Sequence, residues 1–303
     1  MAVARTSAFP ESTQTRGIHV IIGYEFTQRA AVGRSIFNVH DSDQVREHTL
    51  TMGGSGTFDE KAEGEAINYR SMNEGFLQTY TYVDYANGFE ITRRMYINDL
   101  YDSMEKHGAE LGRMAIATEE TVLANHFNNG FSSSFTGADG VSLFNVSHVR
   151  EDGNTYRNKP ASGNDADLSV TSLEQGLIDF RDQRDGGGKR LQIEPKVLLT
   201  AGEGVFSGWK LTESTHDPES DKNTINPLQR LNLSHATWNY LTDTDAWFLL
   251  ADKDEHWLML YLREDFWTEH FYDFDTKNVK FSGMFGQSSG WGDPRGLYGT
   301  SGA

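Results

Sequence analysis

Residues 86–108 read ANGFEITRRMYINDLYDSMEKHG. Asn87-Gly88 is a signal for a two-residue turn between antiparallel strands, because both central residues of a type I′ turn need positive φ. The residues after it alternate, with Glu90, Thr92 and Arg94 on one side and Ile91, Met95 and Ile97 on the other, the period of a half-buried strand. No proline, glycine cluster or polar loop intervenes before the spacing becomes helical. The stretch predicts a hairpin joined directly to a long helix.

A two-residue turn sets Ala86 opposite Phe89, Tyr82 opposite Arg93 and Tyr80 opposite Met95, pairing a cation and a sulfur with rings. Residues 76–86 would extend about 37 Å at about 3.4 Å per residue. A lone two-stranded hairpin is marginal in water, so this arm must lie on its own domain or on another molecule. The helix begins at Asn98 or Asp99, either of which can cap it. Leu100, Met104, His107, Leu111 and Met114 form its apolar stripe, which drifts to Ile116, Leu123 and Phe127 before the stop at Asn128-Asn129-Gly130. Residues 99–127 would make a rod of about 43 Å, more than twice the usual helix. Gly108 and Gly112, one turn apart, fit two readings: another backbone crossing closely, or glycines tolerated at some cost in stability.

The whole chain has 303 residues, enough for two ordinary domains or one elongated subunit with excursions. Hydrophobic residues at 37%, with aromatics spread from end to end, are enough to bury a core. The 27 basic and 44 acidic residues give a net charge of −17, which disfavours sequence-specific nucleic-acid binding. There is no cysteine, which excludes disulfides, thiolate metal sites and a cysteine nucleophile. The N-terminus lacks the apolar core of a signal peptide, and HWLMLYL at 256–262 is too short to span a bilayer, so a soluble chain made inside the cell is expected.

Residues 1 to about 17 read as a flexible arm, followed by the apolar run GIHVIIGYEF. From 40 to 75 the chain is rich in glycine and charge, a long exposed excursion. Residues 131–167 are loop-like, and a stretch of that length points to a functional or intersubunit segment. Thr171 with Glu174 reads as a capping box opening a second helix, with Leu173, Leu177 and Phe180 on its buried face and Gly186-Gly187-Gly188 beyond its end. Strand-like runs follow at 191–201, 246–252, 256–263 and 270–281, with a helix around VFSGWKLTES. This irregular mixture indicates an α+β fold.

Catalytic and metal signatures do not emerge. None of the ten histidines has zinc-site spacing, and His216, His235, His256 and His270 read as solvated or core-edge residues. Gly186 to Lys189 lacks phosphate-loop spacing. The acidic pairs Asp243/Asp245, Asp252/Asp254 and Asp273/Asp275, and Asp139-Gly140, lack the ligand set of an EF-hand. No nucleophile elbow occurs. No catalytic, metal-binding or cofactor-binding residue is assigned, and no cofactor is expected.

The order of features resembles the major capsid proteins of tailed double-stranded DNA bacteriophages, the Hong Kong 97-type fold, in its Mu-like major head subunit branch. The stretches that carry the resemblance are GFEITRRMYINDLY running into ELGRMAIATEE, FNNGFSSSFTGADGVSLFNVSH, LSVTSLEQGLIDFRDQRDGGGKRLQIEPKVLLT and FSGMFGQSSGWGDPRGLYG. The resemblance implies an N-terminal arm and entry to a peripheral domain over 1–39 and an extended loop ending in a hairpin over 40–97. It further implies a peripheral domain with its spine helix over 98–167, an axial domain over 168–258 and a return to the peripheral domain over 259–303.

It implies self-assembly through pentamers and hexamers into an icosahedral head enclosing double-stranded DNA, a virion protein assembled in the bacterial host cytoplasm, and no enzyme. The implied partners are other copies of the chain, a separate scaffolding protein, a portal, a decoration protein and DNA held without sequence preference, with no membrane. Tyr80, Tyr82, Tyr85, Asn87, Gly88, Phe89 and Arg93 are the candidate intersubunit contacts. Some relatives crosslink a lysine to an asparagine; Lys61 lies in the extended loop, where no motif marks it or a partner. The alternatives are an α+β hydrolase with an acidic site, for which 131–167 would be a lid, and a virion accessory using exposed Trp and Tyr as binding platforms.

Overall fold

The computed structural model describes residues 11–28, 31–54, 57–69, 74–94, 101–161, 165–216 and 225–303. Helix α1 (Glu11–Gln28) takes in the apolar run, and it also takes in residues 11–17, which composition alone reads as flexible arm. Its Ile18 and Ile22, one turn apart, are buried beside Leu111 of the long helix α3 (Tyr101–Asn128). A Cβ on Gly112 would stand 2.7 Å from the Ile22 carbonyl oxygen, and one on Gly108 would stand 3.2 Å from the Ile18 side chain. Of the two readings of these glycines, the close backbone crossing is the one that holds. The caps proposed at Asn98 and Asp99, and the strand-to-helix junction itself, lie outside the described residues. The short helix α2 (Val32–Ile36) is tied to α3: the Gly33 N–H donates to Glu120 at 2.9 Å, and Arg34 donates twice to Glu119, at 2.6 and 2.8 Å.

One four-stranded sheet has the order β1-β10-β11-β4, where β1 is Asn38–Asp41, β4 Val83–Ile91, β10 Leu258–Tyr272 and β11 Val279–Trp291. β1 runs parallel to β10; the other pairs are antiparallel. The run at 270–281 is therefore two strand ends and a turn, not one strand. The turn needs no glycine, because the Asp273 carboxylate accepts the backbone N–H of Asp275 at 2.9 Å and Lys277 takes φ 62°.

The Asn87-Gly88 turn is corrected as well. β4 runs straight through both residues, Asn87 facing Gly283 and Gly88 facing Ser282 across the ladder. A Cβ at Gly88 would lie 2.5 Å from the Phe281 carbonyl oxygen, so glycine is there for close approach of the neighbouring strand. Ala86 faces Met284, and β4 runs on past Phe89, so the pairings Ala86–Phe89 and Tyr82–Arg93 do not form; Tyr80 faces Glu47, and Met95, its expected partner, lies outside the described residues.

The second four-stranded sheet has the order β12-β9-β7-β8, with β7 Val197–Thr200, β8 Ser234–Thr237, β9 Trp247–Leu250 and β12 Leu297–Thr300. Successive side chains of a strand point to opposite faces, and β9 uses both. Trp247 and Leu249 enter a core with Leu173, Leu177 and Phe180 of α4 (Val170–Arg181) and Leu211 of α5 (Val205–Glu213). Phe248 and Leu250 enter the largest core, with Leu123 and Phe127 of α3, Leu260 of β10 and Trp291 of β11. The capping box of α4 is Ser169 with Ser172, two residues before the expected Thr171/Glu174 pair.

Within 131–161 the chain is mostly turns, with the short pair β5 (His148–Val149) and β6 (Thr155–Tyr156), and it delivers Leu143 and Phe144 to the largest core. The remaining pair, β2 (Arg46–Met52) with β3 (Glu74–Thr81), forms a separate two-stranded sheet.

Candidate assembly surface

The β2–β3 hairpin has its polarity turned inside out. Its register sets Thr49 opposite Gln78 and Leu50 opposite Leu77. Thr49, Thr51 and Tyr80 are buried, while Leu50, Leu77 and Met52 are 38%, 57% and 71% exposed. A two-stranded ribbon has only one face to rest on its own subunit, and the apolar residues are on the other. Beyond the strands, residues 57–69 are exposed throughout, with Phe58, Ile67 and Tyr69 in solvent beside Asp59, Glu60, Glu63 and Glu65 and the single cation Lys61. This tip is held by local bonds such as Asn68 to Asp59 at 3.0 Å.

The root of the hairpin rests on buried charge. Arg295 donates to Glu151 at 3.0 Å and to Asp293 at 3.1 Å, and its guanidinium lies over the Tyr156 ring at 5.3 Å. Behind it His148, fully buried, stands 2.6 Å from Asp139 and 3.0 Å from the side-chain oxygen of Asn158. That oxygen is an acceptor already, since it receives the Asn145 N–H. A cavity of about 10 Å³ opens between Thr51 and Phe76 of the hairpin and Glu151, Asp293 and Arg295.

The seven candidate contact residues are spread over two settings. Tyr80 is 2% exposed, with its ring 5.0 Å from that of Tyr261, so it braces the hairpin against β10. Burial raises its phenol well above the ordinary value. Tyr82 lies under the Arg263 guanidinium at 5.8 Å. Tyr85 stacks on Phe285 at 5.2 Å and Phe89 on Phe281 at 5.1 Å, both inside the sheet. Asn87, Gly88 and Arg93 are exposed along β4, an edge strand of its sheet, and just beyond it.

What sequence reasoning missed is the true hairpin and its outward apolar row. The signal available was the exposed composition of 40–75 together with its few isolated apolar residues. Also missed were the buried His126 and His148; His126 faces Ser289 at 2.8 Å, and burial lowers its pKa to about 4. Among the described residues no group of three histidine, aspartate or glutamate side chains could hold a metal ion. No helix among them is long and apolar enough to cross a membrane.

Comparison with known proteins places this architecture. The chain superposes on the capsid of cyanophage P-SCSP1u with TM-score 0.57 and 11% identity, covering 88% of this chain and 86% of that one. A virus-like particle from Pyrococcus furiosus gives 0.56 and 8%, covering 94% and 98%. The bacteriophage JBD30 capsid gives 0.54 and 13%, covering 72% and 94%. At such identities the likeness carries the fold, which is the Hong Kong 97 type. No curated protein sequence matches. The family of the description "Phage capsid protein" matches residues 77–299, which include the long helix, both four-stranded sheets except β1 and the last residue of β12, and five of the eight residues of the hairpin's second strand. The chain belongs to the phage capsid protein family, a family of structural virion components, and is a major capsid protein that forms a phage shell.

Proposed function

We propose that copies of this chain associate as pentamers and hexamers and close into an icosahedral head around double-stranded DNA, each copy laying its β2–β3 hairpin across the next. The observation that carries this is the row Leu50, Leu77 and Met52, turned to solvent on a sheet that cannot bury it alone. Many modest contacts multiplied through closed symmetry make a strong shell, and a hairpin resting on a neighbour adds buried area without enlarging the subunit core.

On this reading the extended loop ends near Thr81, earlier than residue 97, because β4 is a member of the peripheral sheet. Residues 1–39 supply the arm and entry, α3 is the spine, 168–258 the axial domain and 259–303 the return. Asn87, Gly88 and Arg93 remain the proposed contacts along the β4 edge, with Tyr82, Tyr85 and Phe89 shaping that edge from within and Tyr80 setting the angle of the hairpin. A separate scaffolding protein, a portal, a decoration protein and non-specifically held DNA are the proposed partners, and the host cytoplasm the place of assembly.

Sedimentation and negative-stain microscopy of the purified chain, alone and with a scaffolding protein, test the reading. Rings or shells are expected. Replacing residues 50–77, which carry the outward row, by a short glycine linker should leave a folded subunit that forms neither; a variant that still builds shells sinks the role given to the hairpin.

A further inference from the structure

Glu151, Asp293 and Arg295 lie where segments far apart in sequence meet: the hairpin root, the turn after β5, the glycine loop after α4 and the chain after β11. We infer that these three residues form a latch that holds the root of the β2–β3 hairpin tightly while one of the two carboxyl groups is neutral, and loosely when both are ionised.

One guanidinium serves two carboxylates here. The other charges that face the site are already engaged. His148 and Asp139 pair with each other at 2.6 Å. Arg150 pairs with Asp152 at 3.0 Å, and Asp185, against Gly54 of the hairpin, has Lys189 at 3.7 Å. With both carboxylates ionised the cluster holds one uncompensated negative charge, a costly state away from water.

The weak side of the cluster faces the hairpin. Glu151 Oε1 is buried and has no hydrogen-bond partner among the described residues. It abuts Gly75, where a Cβ would come within 2.8 Å, while the other oxygen borders Gly186. The adjoining cavity has room for roughly one water. Lifting Gly75 and Thr51 is therefore the shortest way to hydrate the excess charge, and that motion is an opening of the hairpin root.

Burial raises the Asp293 carboxyl above the ordinary carboxylate value, and the Glu151 charge adds to this, although Arg295 acts against it. The closed root therefore binds more protons than the open one. Closure strengthens as pH falls and weakens as pH rises through the raised value. The latch works inside one subunit, so it stands or falls independently of any contact between copies.

Hydrogen exchange of the full-length chain, normalised for intrinsic rates and read in peptides covering 46–54 and 74–81, tests this from about pH 4, the ordinary carboxylate value, to about pH 8. Wild-type protection of the root should fall with rising pH, by up to about tenfold per pH unit, the limit for one linked proton. Protection in 197–200 and 247–250 should show no such rise toward low pH. Asp293→Asn fixes the neutral state and should make root protection high and independent of pH. Glu151→Gln also removes the excess charge and should flatten the profile, which keeps the test open if one variant fails to fold. A wild-type root whose protection ignores pH, or a folded variant that keeps the wild-type slope, overturns the latch.

Discussion

In β9 and β12 every side chain is buried, and each strand finds its partners inside the subunit. In β2–β3 the threonines point inward while Leu50, Leu77 and Met52 point outward. Both are short strand pairs, but WFLL is apolar throughout, whereas REHTLTM mixes charge and threonine with two apolar residues. The difference is the number of faces the subunit covers: β9 lies between two cores, whereas the hairpin meets the body on one face and leaves the other for something else. A residue in the first region should therefore govern whether the chain folds, and a residue in the second what the folded chain joins.

The largest effect on folding should come from breaking the covered region. Phe248 lies 5.1 Å, ring to ring, from Phe127 and from Phe144 and faces Phe131 at 6.0 Å. Phe248→Ala should cost about 3–5 kcal/mol, read as a lower urea midpoint with little change in slope.

Acid should weaken the same core. Burial lowers His126 from 6.5 to about 4, and burial with Lys253 nearby lowers His256 to about 4. These side chains bind protons in the unfolded chain before they do so in the native one, so their contribution is whole above about pH 6.5 and is lost progressively toward about pH 4. Each site has the scale of a few kcal/mol over that window. Urea midpoints should fall between about pH 7 and about pH 4.5, and His126→Gln should show a shallower fall, with the His256 share remaining. The sign is opposite to that of the Asp293 carboxyl, so global stability and hairpin-root protection should move in opposite directions as the solution is acidified.

A smaller effect is expected at the crossing of α1 and α3. Gly112→Val places a branched side chain against the Ile22 carbonyl and should cost about 1–3 kcal/mol. Limited proteolysis should then cut within α1 sooner than in the wild type, while 197–200 and 247–250 stay protected.

How much of this was legible in the sequence follows from where each signal comes from. The spine helix was readable because Leu111, Ile116, Leu123 and Phe127 are spaced locally and Asn129-Gly130 stops them. The buried face of α4 was readable for the same reason, although its cap was placed two residues late because Ser172 can replace the usual acidic partner. Asn87-Gly88 misled because glycine answers two needs, a positive φ or a close neighbouring strand, and only the identity of the neighbour decides between them. The β2–β3 hairpin was hidden by its reversed alternation, with Thr49, Thr51, Gln78 and Tyr80 inward. Nothing local could have joined Glu151 to Arg295 and Asp293, since what makes them a unit is burial at the meeting of distant segments.

The comparison is sharpest where the smallest effect on folding should accompany the loss of assembly. Leu50 and Leu77 face each other on the outward side of the hairpin, where the single subunit covers them only in part. Replacing both by serine removes apolar surface that the isolated chain leaves about half in water, so the unfolding free energy should fall by only about 1 kcal/mol. If a neighbouring copy covers that surface, the same change removes it from every contact around a closed ring, and symmetry multiplies a modest loss at one site into failure of the shell. Sedimentation should then show folded subunits and no large particles. Leu50→Met with Leu77→Met, which keeps the apolar area, should restore them. Shells that form normally with both serines would mean that the outward row rests on nothing in the particle; the two strand pairs would then differ in exposure but not in purpose.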